Sequence, residues 1–194
     1  MSNEKSAFGE RSYFRLEISG GALLFLSFTG FLCGGGALCG ALFASAVHEL
    51  GHLAVILGQG GVPRSLRLDA SGACLRCSGP TPEPREELAR AAAGPLAGLL
   101  LWLALRLWGG HALHNTSELS LMLSLVNLLP AEGLDGGRIL RCLCVNAPLP
   151  LTEKLGTLLS LAACAFTLLL GVLFSPQLLL YGLWLSLRLL RRRD

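Results

Sequence analysis

The apolar residues of this chain gather in four long runs, 20 to 58, 88 to 108, 119 to 130 and 151 to 190, and the charges collect in the gaps between them. Runs of that length with few charges are what the hydrocarbon core of a bilayer selects, because about 20 helical residues are needed to cross it. A soluble fold of 194 residues with only 15% charged side chains and a mean hydropathy of +0.57 could not solvate its own surface. The expected fold is therefore an all-α polytopic membrane protein, a single domain over 1–194.

At about 20 residues per crossing, helices are expected near 20–39, 41–58, 87–108, 117–130, 154–173 and 177–190, about six transmembrane helices in all. The run Gly34, Gly35, Gly36, with Gly40, marks the turn between the first two. Lys and Arg give the orientation. With the N-terminus cytoplasmic, fifteen of the 16 basic residues fall in cytoplasmic gaps or ends. Only Arg106 is left over, and the outer gaps 109–117 and 174–177 hold none. Both termini are accordingly expected in the cytoplasm. The loop from Gly60 to Pro84 has a different texture: Ser65-Leu66-Arg67-Leu68 alternates, Asp69-Ala70-Ser71-Gly72 signals a turn, and Ala73 to Cys77 returns. This predicts a small β-hairpin on the cytoplasmic membrane face, ended by Pro80, Pro82 and Pro84 before the third helix.

Several function classes drop out. The net charge of +3 comes from basic residues scattered over many gaps without aromatic stacking partners, so no nucleic-acid partner is expected. Seven cysteines, with Cys33, Cys39 and Cys164 inside apolar runs, imply no disulfide framework. Met1 to Ile18 is polar and the following apolar run lacks a small-residue cleavage site, so no cleaved signal peptide is expected.

The chemistry lies in His48-Glu49-Leu50-Gly51-His52. Residues four apart on a helix share a face, so both imidazoles reach one metal ion, while Glu49, rotated by about 100°, stays near enough to activate a water beside it. Two neutral nitrogen donors with room for a carboxylate suit zinc. The bare pattern is only moderately specific. Its setting sharpens it, because Ala37 to Leu57 is otherwise apolar, and ionisable groups inside a crossing cost several kcal/mol unless paired, hydrated or metal-bound.

A third ligand is needed. The soluble metzincin extension would require Gly at 55 and His at 58, which here are Val55 and Gly58. Glu83, Glu86 and Glu87 could supply a carboxylate, but they lie in a Pro-rich charged loop where solvated side chains are the commoner explanation. Asp135 is the better candidate. It belongs to the stretch Asn127 to Arg138, where Pro130 must break a helix at membrane depth, and irregular backbone survives there only when buried in protein or lining a wet cavity.

Together, the His48–His52 motif and the Asn127–Arg138 stretch resemble the signatures of the site-2 proteases, a family of intramembrane zinc metalloproteases. Ala93-Gly94-Pro95-Leu96-Ala97-Gly98 is similar to the small-residue motif of that family's third helix. The resemblance covers a catalytic core of roughly 10–145, leaving C-terminal helices at about 151–190. It implies that His48, His52 and Asp135 bind one Zn2+ per chain, that Glu49 is the general base, and that Asn127 steadies the substrate carbonyl or the oxyanion developing on it. The implied partners are the lipid bilayer, a membrane-associated protein substrate and regulatory membrane proteins. The short layout without a PDZ domain is most similar to the sporulation branch, which implies a pro-sigma or anti-sigma factor as substrate and a bacterial inner membrane as location. That branch often adds a nucleotide-binding CBS domain; here the chain stops at Asp194 and ATP sensing of that kind is not expected.

In the mechanism so implied, a wet cavity open to the cytoplasm delivers water to the metal, and a locally unwound substrate is held by strand addition to the hairpin at 65–77. Two other classes make different predictions. A metal transporter would show ion flux and no special need for Glu49; a catalytically silent membrane scaffold would be indifferent to Glu49→Gln. The remaining features read as structural: Gly94 and Gly98 as a close-packing face, Cys74-x-x-Cys77 as inert strand residues, Glu132 as a hydrated loop carboxylate, His111 and His114 as bystanders on the outer side, and Arg188 to Arg193 as a topology anchor.

Overall fold

The computed structural model describes residues 15–20, 23, 26, 27, 30, 31, 34–69, 72–79, 81–110, 113–131, 133–144 and 149–174. They form β1 (Arg15–Ile18), α1 (Gly35–Gly58), β2 (Val62–Asp69), β3 (Gly72–Ser78), α2 (Pro84–Trp108), α3 (His114–Asn127), α4 (Asp135–Leu143) and α5 (Leu149–Phe174). The crossing expected at 177–190 lies outside the described residues, and the one at 20–39 largely so.

Each boundary has a local cause. Gly34, at φ 81, makes the turn expected in the glycine run, and α1 starts immediately after it, six residues earlier than the crossing predicted from 41. Helix α2 begins at Pro84, which fills the first helical position where a missing N–H costs nothing. Glu83 caps it, and Glu86 reaches back to the Glu83 backbone N–H at 3.1 Å, a reciprocal capping box. Helix α3 stops three residues before Pro130.

The expected hairpin is present, but the sheet has three strands in the order β1-β2-β3. β3 pairs antiparallel with β2 in a register that sets Asp69 opposite Gly72, with an irregularity between Pro63 and Ser65, where proline offers no N–H to a ladder. β1 pairs parallel with β2, Arg15 opposite Ser65. A parallel pair needs a long crossover, and α1 lies within it.

Helix α2 occupies the middle of the bundle and packs against α1, α3 and α4. The polarity of the bundle is inverted relative to a soluble fold. Its buried side chains include His48, His52, Ser117, Ser120, Ser124 and Asp135, whereas Leu50, Leu57, Leu100, Leu107, Trp108 and Met122 face outward. Only 28% and 33% of the most apolar windows of α1 and α2 is buried, and these are the two described helices long and apolar enough to cross a membrane. A soluble core helix would be mostly buried. Small residues and serine hydroxyls at helix contacts are how bundles associate in lipid, where apolar burial gives no net drive. Ser120 Oγ donates to the Gly98 carbonyl at 2.8 Å and Ser117 Oγ to that of Trp102 at 3.2 Å, stitching α3 to α2.

The segment between α3 and α4 is held from inside. Ala131 and Leu134 are buried against Cys164 of α5, with Val126 and Leu129 beside them. Gly133, at φ 87, turns the chain toward α4. This helix is not expected from the sequence, which places irregular backbone around Pro130 and the next helix only at 154; its two adjacent glycines also disfavour a helix. Gly136 is there for fit. A Cβ at 136 would collide with the carbonyls of Leu128 and Leu129, so only glycine lets the first turn of α4 settle on them.

Candidate metal centre

The two halves of the predicted site meet inside the bundle. His48 and His52 lie one turn apart on α1, and Asp135 opens α4. Asp135 Oδ2 is 3.1 Å from His48 Nε2 and 3.1 Å from His52 Nε2, and the two nitrogens are 3.2 Å apart. All three residues are buried, with relative exposures of 4%, 8% and 7%.

His52 is oriented from behind, its Nδ1 lying 2.7 Å from the Arg90 carbonyl, which can only accept a proton. In the neutral ring that a metal ligand requires, this places the proton on Nδ1 and a lone pair on Nε2, aimed at the carboxylate. Two acceptors 3.1 Å apart in a buried space repel unless a proton or a metal ion lies between them. The size also fits: ligand atoms on a tetrahedral zinc ion at about 2.0–2.2 Å stand roughly 3.3–3.6 Å apart, within a few tenths of an ångström of this triangle. His48 Nδ1 is the one buried side-chain polar atom without a hydrogen-bond partner among the described residues.

Close packing brings the ring of His52 against α2. A Cβ on Gly94 would lie 2.5 Å from His52 Cε1, 2.7 Å from Cδ2 and nearer still to Nε2. The small-residue motif therefore shapes the site as well as the helix contact. Glu49, half-buried one residue from His48, lies within electrostatic reach of His48, His52, Asp135 and Arg138.

The other candidates fall elsewhere. Glu83 and Glu86 are spent on capping α2, and Glu87 pairs with Arg138 at 2.8 Å; none joins the triangle. Asn127 ends α3 half-buried, its Nδ2 donating to the Leu123 carbonyl of its own helix at 3.0 Å. Glu132 and His111 lie outside the described residues. His114 is engaged by Arg106, Nη1 to Nδ1 at 2.9 Å, and Arg106 also faces Glu118 at 4.0 Å, which gives the one displaced arginine its partners. Burial pushes the Cys77 thiol up against the opposing charge of Arg90, as befits an unreactive strand residue. Sequence reasoning missed Arg90 and Arg138, having counted both only as topology markers; the signal for Arg138 was its place three residues after Asp135, one helical turn on.

No protein-family model matches the chain. A protein of Synechocystis sp. named as a zinc metalloprotease is 37% identical over 110 residues, 52% of this chain and 29% of that relative. A zinc metalloprotease of Methanocaldococcus jannaschii is 34% identical over 154 residues, 73% of this chain and 41% of the relative. The chain thus spans less than half the length of these curated relatives. Among solved structures, the site-2 protease from M. jannaschii superposes with a TM-score of 0.66 at 24% identity, covering 92% of this chain and 89% of that one. The chain has the fold of a site-2 protease, and the curated relatives it matches are named zinc metalloproteases. The inverted polarity of the bundle and the three-stranded sheet thus occur within a site-2 protease fold, and the donor set of the buried His-His-Asp triangle suits Zn2+.

Proposed function

We propose that the chain is an intramembrane zinc endopeptidase that hydrolyses a peptide bond in or near a membrane segment of a membrane-associated protein. The convergence of three buried ligand atoms from α1 and α4 within 3.2 Å of one another carries this reading. His48 and His52 would hold the ion through Nε2 and Asp135 through Oδ2. Bound there, zinc supplies a Lewis acid that acidifies water and polarises a peptide carbonyl.

The remaining steps belong to side chains. Glu49 takes the proton of the attacking water and returns it to the leaving amine. Asn127 spends one of its two Nδ2 protons on Leu123 and keeps the other for a substrate oxygen on which charge develops. The site lies inside the bundle, so a substrate helix must unwind to present a carbonyl, and an extended substrate can add to a sheet edge. β2 is central, which leaves the outer edges of β1 and β3 for that addition.

The membrane layout follows the same reasoning. The distribution of Lys and Arg over the gaps between apolar runs supports six crossings with both termini cytoplasmic, and the resemblance to the sporulation branch supports a bacterial inner membrane. The resemblance to the sporulation branch adds a finer expectation, a pro-sigma or anti-sigma factor as substrate.

The test is co-expression with candidate single-pass or membrane-associated precursors. Wild type is expected to cleave one of them, and Glu49→Gln to retain zinc without cleaving. Metal flux into vesicles would instead favour a transporter, and equal behaviour of wild type and Glu49→Gln a scaffold.

A further inference from the structure

We propose that Glu87 and Arg138 form a positioning relay that aims the Asp135 carboxylate at the metal centre; this deepens the zinc-protease reading and rests on it. The two oxygens of Asp135 have separate tasks. Oδ2 faces the imidazoles, while Oδ1 accepts Arg138 Nη1 at 3.4 Å. Arg138 presents its other edge to Glu87 Oε1, from Nε at 2.9 Å and from Nη2 at 2.8 Å. A guanidinium is planar and its donors diverge at fixed angles. The place of Glu87 therefore sets where Nη1 points, and with it the rotation of the carboxylate.

Glu87 lies in the first turn of α2, three residues before Arg90, whose carbonyl orients His52. One capped helical turn thus sets the orientation of two of the three ligands. The relay faces a cavity of about 220 Å³ lined by Pro82, Pro84, Glu87, Arg138, Arg141 and Cys142. The side chains of Arg138 and Glu87 are 33% and 29% exposed, whereas that of Asp135 is 9%. Ion pairs so open to water contribute little to folding, so the relay is expected to act on metal affinity while leaving stability nearly unchanged.

The experiment is zinc affinity by chelator competition on the full chain in detergent, with a thermal unfolding curve for every variant. Glu87→Gln and Arg138→Gln should bind zinc about 10- to 100-fold more weakly, the usual effect of losing a group that orients a ligand, with unfolding midpoints near wild type. Arg138→Lys, which keeps a charge beside Asp135 but cannot fork, should fall between. Arg141→Gln removes a charge from the same cavity wall and should bind as wild type. The decisive variant is the exchange Glu87→Arg with Arg138→Glu. If the pair merely ties α2 to α4, the exchange restores zinc binding and overturns the relay. If it serves Asp135, the exchange fails, because it sets a carboxylate against Asp135. Zinc held equally by wild type and Glu87→Gln overturns the relay alone; a wild type that binds no zinc overturns the metal centre with it.

Discussion

Gly94→Ala adds one carbon at the point where α2 touches the metal centre. That carbon would lie 2.5 Å from His52 Cε1 and 2.7 Å from Cδ2, whereas an ordinary contact is roughly 3.6 Å, so about 1 Å of separation must be found. The ring has little freedom to yield. It is 8% exposed, and its Nδ1 is tied to the Arg90 carbonyl at 2.7 Å, on the same helix and one turn before Gly94. Swinging the ring away breaks that bond, and moving α2 away strains its contacts with α1. Metal ligation tolerates only about 0.2 Å, and a 1 Å misplacement in a catalytic site costs about 100-fold. The prediction is a loss of at least about 100-fold in zinc affinity, equivalent to about 2.7 kcal/mol. Helicity should persist, because alanine is favoured over glycine in a helix by about 1 kcal/mol. The assay is zinc stoichiometry after chelator dialysis, beside Gly58→Ala, where an added Cβ meets nothing within 4 Å. One firmly held zinc per chain in Gly94→Ala, as in wild type, would refute the reasoning.

Other outcomes follow from the same geometry. Gly51→Val sets side-chain carbons against the Ala93 carbonyl and Ala97 Cβ, each 2.6 Å from the position of a Cβ at 51, and should cost about 1–3 kcal/mol of overpacking in an unfolding titration. Ser120→Ala removes the donor to the Gly98 carbonyl and should lower stability by only about 0.6 kcal/mol, the mean for such bonds in membrane bundles; a cost several times larger would mean the hydroxyl does more than join α3 to α2. Chelation should abolish cleavage in wild type and added zinc should restore it, whereas activity that survives complete zinc removal would exclude the proposed mechanism.

The motif residues were legible because one helical turn sets His48 and His52 on a common face, and because a proline at membrane depth marks Asn127–Arg138 as special. The expected crossings at 87–108 and 154–173 fall within α2 and α5 for an equally local reason, their apolar runs. What stayed hidden is non-local. β1 pairs with residues 50 positions along the chain, and four residues of mixed polarity carry no period that announces it. Helix α4 contradicts the propensity of Gly136 and Gly137 because its docking on the Leu128 and Leu129 carbonyls outweighs that cost. Glu87 reads as a solvated charge and Arg138 as a topology marker, since nothing in a linear sequence shows that the two lie 2.8 Å apart.

The most direct test of the central claim is zinc X-ray absorption on the purified chain in detergent, wild type beside Asp135→Asn. The geometry predicts one zinc per chain in wild type, with nitrogen and oxygen neighbours at about 2.0–2.2 Å and no sulfur shell near 2.3 Å, and an altered or empty site in Asp135→Asn. A zinc-free wild type, a sulfur shell, or a spectrum indifferent to Asp135→Asn would contradict it.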